Sequence, residues 1–336
     1  MNYKPHGQKT VFDTLFEQKV RHNRTTILEE IGGYIDFEVF RPTLERVFEG
    51  SGYGPSRFDV VLMLRVLILQ KWYDLSDPEA EAQISDRISF RSFLGMSLDD
   101  EIPDETTICR FRNNLKESGQ YEWLFEVLNG ELRKRRVLVK SGSLVDATFI
   151  KAPKGKRKDG SKTDPDADFG HKGHGYSVHV NMEKDSKIWE ELEVTSARPH
   201  DSQHVEDVLI GDETAIWADS AYRSEEQETQ LKEQGVQSHI MEKAHRNKPL
   251  TKEQEDSNRE KSKVRARVEH GFAQVKTQDG FTRTRYYGLL ENRCDAFLHA
   301  IAYNLRRGLY LLKKQVRQVL SEMKRMQEEE LRAYCA

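Results

Sequence analysis

Cysteine is scarce in this chain, and long apolar runs are missing. The three cysteines, Cys109, Cys294 and Cys335, are far apart and odd in number, which argues against a disulfide framework and leaves no CxxC pair for zinc. The longest apolar stretch, Val60 to Leu69, is broken by Arg65 and falls well short of the roughly 20 residues that a bilayer span needs. The opening residues, MNYKPHGQKT, lack the apolar segment of a secretory signal. No charge sign dominates either: 53 Lys and Arg stand against 56 Asp and Glu, a formal net charge of −3. Contact with a polyanion must therefore come from local patches rather than from overall charge. These absences lead us to expect a soluble, cytoplasmic protein of a reducing compartment, with no membrane partner and no small-molecule cofactor. At 336 residues there is room for about two domains, and neither an internal repeat nor a low-complexity linker separates them.

Residues 1–140 read as an all-helical domain. Glu38 to Phe48 has apolar residues at helical spacing, and the segment opened by Pro55 contains the long apolar stretch, suited to a buried core helix. Asp77-Pro78 with Glu79 and Glu81 behind it is a helix-start signal, and PDETT at Pro103 to Thr107 is another. The helix from Tyr121 ends in the basic run Arg133, Lys134, Arg135, Arg136. A domain of this kind suits DNA binding, or simply packing and dimerisation; the pattern leaves both open.

At Ser143 the period changes from helical to alternating. SLVDATFI reads as a strand containing Asp146. A lysine-rich loop follows, with Lys154 and Arg157 among its cations, and then the alternating YSVHVNME and the third strand IWEELEVTSA. Ser202 to Ile210 reads as a short helix, AIWADSAYRS as a strand delivering Asp219, Glu225 to Gln234 as a helix and VQSHIME as a last strand. A polar insertion, Lys243 to Glu260, leads into the helix Lys261 to Gln278. Three strands in a meander, then helix, strand, helix, strand, helix is the ribonuclease-H-like order. The fold class is α/β: a mixed five-stranded sheet with helices on both faces over residues 141–310. A basic-to-acidic helical tail, 311–336, follows, its helix expected to run from Ala296 to Met326.

In that order the first and fourth strands lie side by side, so Asp146, Asp219 and a carboxylate of the late helix can meet. On that helix Arg265, Glu269 and Lys276 are offset by four and seven residues and share one face, while Val264, Val268, Phe272 and Val275 form another. Three carboxylates suit two hard cations, magnesium or manganese, beside a phosphodiester. Taken singly, each has a plainer reading: a strand-edge aspartate, a cap before Ser220, and an i,i+4 Arg–Glu pair on a solvated helix. The histidines His171, His174, His179, His200 and His204 raise a rival zinc site, but HxxH lies here in a glycine-rich loop and lacks the glutamate of a zincin motif.

LQKWYDLSDPEAE, PDETTICRFRNNL, LVDATFI, GYSVHV, TSARPHDS, WADSAYRS and RARVEHGFAQVKTQDGF together resemble the DDE transposases of bacterial insertion sequences, specifically the insertion-sequence-five family. The resemblance covers about Arg57 to Arg306. It implies a catalytic and metal-binding triad of Asp146, Asp219 and Glu269 holding two Mg²⁺ or Mn²⁺ ions. The family pattern Tyr-(2)-Arg-(3)-Glu-(6)-Lys is met at Arg265, Glu269 and Lys276, with Ser262 at the tyrosine position. It further implies double-stranded DNA as partner, both element ends and target, bound by a homodimer or larger assembly. Arg265 and Lys276 would hold end phosphates, with Arg133 to Arg136, Lys154, Arg157, Arg306 and Arg307 as further contacts, and His200 and Asp201 as support. A domesticated DNA-binding descendant and a host nuclease of the same fold are the alternatives.

Overall fold

The computed structural model describes residues 3–7, 26–48, 57–199, 201–244 and 249–334. Helices begin where short polar side chains can accept the free N–H groups of a first turn. In the N-terminal part these are α1 (Ile27–Tyr34), α2 (Arg41–Phe48), α3 (Val60–Trp72), α4 (Asp77–Asp86), α5 (Ile88–Leu94), α6 (Glu105–Glu117) and α7 (Gln120–Lys134). Asp104 caps α6 through the N–H of Thr107. For α4 the cap is Ser76, in a capping box with Glu79, one residue before the expected Asp77. Asp77 is instead engaged by Arg112, at 2.6 Å through both guanidinium nitrogens. Every residue of α3 is buried except Arg65, whose guanidinium covers the Phe37 ring and donates to the carbonyl of Phe93.

The sheet contains β1 (Ser143–Lys151), β2 (Asp168–Gly170), β3 (Gly173–Glu183), β4 (Trp189–Ser196), β5 (Ala215–Ala218) and β6 (Gln237–Ser238). Its order is β2-β3-β1-β5-β6, with β4 also paired to β3. β1, β3 and β4 form the antiparallel meander, and β5 and β6 run parallel to β1. The ribonuclease-H-like order is therefore present, with the short β2 as an addition. β3 and β1 approach closely at Gly175, where a Cβ would lie 2.1 Å from the carbonyl oxygen of Ile150. Two other readings need correction. Ser202 to Ile210 is not one helix but two 3-10 turns, Asp201–His204 and Glu206–Val208. Half of the polar insertion is helical, because Thr251 and Gln254 form a capping box that starts α9 (Lys252–Gln278). Helix α8 (Glu225–Glu233) matches expectation, whereas α10 runs unbroken from Leu289 to Tyr334, longer than expected at both ends.

One apolar core passes from the helical part into the sheet, taking in Leu64 and Leu128 together with Val178, Met182, Trp189 and Ile301. A smaller core on the opposite face of the sheet holds Val145, Ile216, Ala218 and Tyr222. The backbone of Trp189, on edge strand β4, is met by the buried amide of Asn304 on α10. Asn304 Oδ1 accepts the Trp189 N–H at 3.0 Å, and Asn304 Nδ2 donates to the Trp189 carbonyl at 2.8 Å and to Asn129 Oδ1 at 2.9 Å. Asn129, on α7, returns a bond to the Trp189 carbonyl. Asn304→Ala strips partners from several buried groups, each costing about 1–3 kcal/mol. The expected loss is about 3 kcal/mol or more in urea denaturation; wild-type stability would show that this network is dispensable.

Candidate active site

Asp146 lies in the middle of β1, opposite Val180 of β3. Leu144 and Ile150, two and four residues away on the same face, belong to the main core, so Asp146 is a polar interruption of an apolar stripe. Its side chain is 19% exposed. On the other flank β5 runs parallel in register, with Val145 against Ala218. Asp219 is the next residue, so the sheet places it beside Asp146 at the C-terminal end of β5. The strand stops there because Asp219 turns to cap the 3-10 turn Ser220–Tyr222, accepting the Ser220 N–H at 2.5 Å. The expected strand AIWADSAYRS is thus only four residues long, and Asp219 is both strand end and cap.

Helix α9 lies over this edge with Val268, Phe272 and Val275 buried and Val264 half-buried against the core. Close approach is possible at Gly271, where a Cβ would meet the Met182 side chain at 2.5 Å and the Trp189 indole at 3.3 Å. That docking turns Arg265 toward the sheet. Its Nη1 donates to Asp146 Oδ2 at 2.9 Å, and its Nη2 lies 3.9 Å from Glu269 Oε1. Arg265 therefore stands between two of the three carboxylates. Glu269 remains 65% exposed. Among the described residues no three His, Cys, Asp or Glu side chains are grouped closely enough to hold a metal ion.

Charge at the site is unevenly compensated. Burial, and then the negative charge of Asp219, push the Asp146 carboxyl above its usual range; the Ala147 N–H, Arg265 and Lys172 pull the other way. Lys276, on the same face of α9, is held below the usual lysine range by burial first and by Lys172 second. Lys172 lies in the β2–β3 turn, near enough to act on both groups, and sequence reading missed it. Its signal was present in the Gly-His-Lys-Gly turn, which the histidines drew toward zinc. Nε of Arg265 is buried without an acceptor, an orphan donor beside two carboxylates that an anionic oxygen would satisfy.

The remaining expected residues are spread out. Arg133 pairs with Glu190, and Arg135 with Glu131 and the carbonyl of Tyr34. Arg306 pairs with the buried Asp279 and covers the Trp72 ring, and Arg307 donates to the Ser186 carbonyl. These four are held by their own chain. Lys134 and Arg136 are exposed. Lys154 covers the exposed ring of Phe169, and Arg157 donates to the Thr163 carbonyl. His200 lies outside the described residues, as does the side chain of Asp201. Of the other histidines, His174 contacts the Ala152 carbonyl, whereas His179 and His204 lie ring against ring with centroids 4.9 Å apart, His179 on Thr195 and His204 on Asp207, and no third ligand completes a metal site among the described residues.

The donors present are hard carboxylate oxygens, the kind that magnesium and manganese prefer. Asp146 and Asp219, like charges side by side and partly desolvated, are donors of the kind a divalent cation would take. A raised carboxyl pKa has a signed consequence. The folded state keeps the Asp146 proton to higher pH than the unfolded chain, so this group's contribution to stability falls as pH rises from the ordinary carboxylate value through the raised one. Arg265→Ala removes a compensating charge and should steepen that fall. Urea denaturation across that pH window, with and without Asp146→Asn in the Arg265→Ala background, measures it; an unchanged slope would mean that Arg265 does not compensate Asp146.

A family model described as a transposase DDE domain matches residues 138–305, half of the chain. A second, described as Transposase domain (DUF772), matches residues 15–114. No solved structure matches. Among the described residues, no helix is long and apolar enough to cross a membrane. The first match spans every element that carries Asp146, Asp219, Arg265 and Glu269, and the second covers most of the N-terminal helices; the chain belongs to the DDE transposases of insertion-sequence type.

Proposed function

We propose that this protein is an insertion-sequence-five transposase that recognises the terminal inverted repeats of its element, cleaves DNA at the ends and joins them to target DNA. The observation that carries this reading is the edge where Asp146 and Asp219 lie together under a helix that presents Arg265, Glu269 and Lys276. Asp146 and Asp219, joined by Glu269, would hold two Mg²⁺ or Mn²⁺ ions. When bound, such ions activate the attacking oxygen and stabilise the leaving one. The chain's own residues do the rest. Arg265, with its unsatisfied Nε, turns to a backbone phosphate, and that move releases Asp146 Oδ2. Lys276 and Lys172 form a cationic rim that holds the next phosphates. In cleavage, water attacks the end phosphorus and a P–O bond breaks, leaving a 3′-hydroxyl. In transfer, that hydroxyl attacks a target phosphodiester and displaces a target 3′-oxygen.

On this reading residues 141–310 form the catalytic domain, and residues 1–140 supply a helical platform for DNA or a partner subunit. Lys154, Arg157, Lys134 and Arg136 are the outer cations best placed to meet DNA, since they are exposed, whereas Arg133, Arg135, Arg306 and Arg307 are half-buried against their partners within the chain. The protein works in the cytoplasm, on nucleoid DNA.

Asp219→Asn and Glu269→Gln keep shape but lose ligand charge. Both are expected to abolish Mg²⁺-dependent nicking of end DNA while end binding and the unfolding midpoint stay close to wild type. Normal nicking by either would remove that residue from the triad.

Lys276→Ala should fail differently, weakening end binding and lowering the log–log salt slope by about 0.9, the value of one phosphate contact. Filter binding across a salt series measures it. A wild-type slope combined with wild-type affinity would remove Lys276 from the DNA surface.

A further inference from the structure

Helix α10 has 46 residues, about 69 Å at 1.5 Å per residue, yet only its first half is packed. Leu305, Leu309 and Leu312 are buried in the main core. The same stripe continues through Val316, Val319, Met323 and Met326, in alternating steps of four and three residues. That is a strict heptad seam, the spacing by which one helix packs along another. These four are 44%, 54%, 53% and 58% exposed, and Leu320 beside them is 59% exposed. From Val316 to Glu329 every residue is exposed.

We propose that this bare seam pairs, antiparallel, with the same seam of a second copy of the chain. Its spacing calls for another helix, and its apolar character excludes DNA. Direction follows from sterics. The face that would receive a parallel partner is, at Leu305 to Leu312, already covered by the protein's own core, so the matching part of a parallel partner has no room. An antiparallel partner ends near that point instead. Seams of this type then match Val316 with Met326 of the second copy and Val319 with Met323. Charge agrees at the ends: Lys314 at the base comes level with Glu328 at the partner's tip, and Lys313, which also pairs with Glu30 of its own chain, comes level with Glu329. Repulsions are built in as well, because Arg317 comes level with Arg325 of the second copy and the two copies of Glu322 flank the seam and meet across the dyad.

The pairing concerns assembly and can be read without activity. Sedimentation equilibrium of the full chain, free of DNA, should show a dimer. Val316→Glu with Met323→Glu should weaken it by about tenfold or more, since it forces charge into the seam, with circular dichroism and unfolding midpoint unchanged because these residues lie outside the core. Glu322→Gln should tighten it. In a Cys335→Ser background, a mixture of Val316→Cys and Met326→Cys chains should cross-link to each other on mild oxidation, far faster than either chain does to itself. A monomer at all concentrations, a dimer indifferent to the double variant, a weaker dimer in Glu322→Gln, or dominant Val316→Cys self-cross-linking would each overturn the proposal.

Discussion

The amide of Asn304 on the backbone of Trp189 is the contact on which the rest of the architecture depends. An edge strand presents N–H and C=O groups that need partners, and here one side chain supplies both bonds in place of a neighbouring strand. Asn304 also reaches Asn129, so helical region, sheet and C-terminal helix are joined at one buried point. The Trp189 indole lies against Phe272 and Tyr303, and these surround the place where α9 comes closest to the sheet at Gly271. The distance between helix and sheet, and hence the reach of Arg265 and Glu269, follows from packing around Trp189. Lys71 and Asp295, a buried ion pair, tie α3 to α10 on another side of the same core.

The site built on that scaffold is held by electrostatic balance more than by contact. Two aspartates at adjacent rungs of parallel strands repel each other, and burial worsens the repulsion. Arg265 offsets it for one of them while facing Glu269 with its other nitrogen. Lys172 and Lys276 place further positive charge around the rim, and burial first, with Lys172 second, loosens the hold of Lys276 on its own proton. The cations needed by a polyanion are thus concentrated at one edge of a chain whose total charge is nearly neutral.

Much of this was legible in the sequence because it rests on local periodicity. The alternation of YSVHVNME, the caps before α4 and α6, and the apolar arc of α9 led to elements that the structure contains. Asp146 and Asp219 could be placed side by side because strand order alone sets which strand ends are neighbours. Legibility failed where tertiary packing decides. Nothing local says that Arg133, Arg135, Arg306 and Arg307 are engaged by distant groups, and a run of cations looks the same whether solvated or paired. Lys172 was missed because its place at the site depends on the short β2–β3 hairpin, whose position follows from sheet packing rather than from local sequence. The length of α10 was underestimated because an exposed heptad seam followed by glutamates resembles a fraying end.

The amide cover over Trp189 also has a temporal side. It comes from a residue 115 positions later in the chain, so during synthesis the sheet edge emerges long before the group that completes it. A nascent or prematurely terminated product ending before Asn304 carries an open strand edge and a core missing its last helix, the kind of species that aggregates or is degraded. Copies of the gene truncated before Asn304 would therefore leave that strand edge without its side-chain cover.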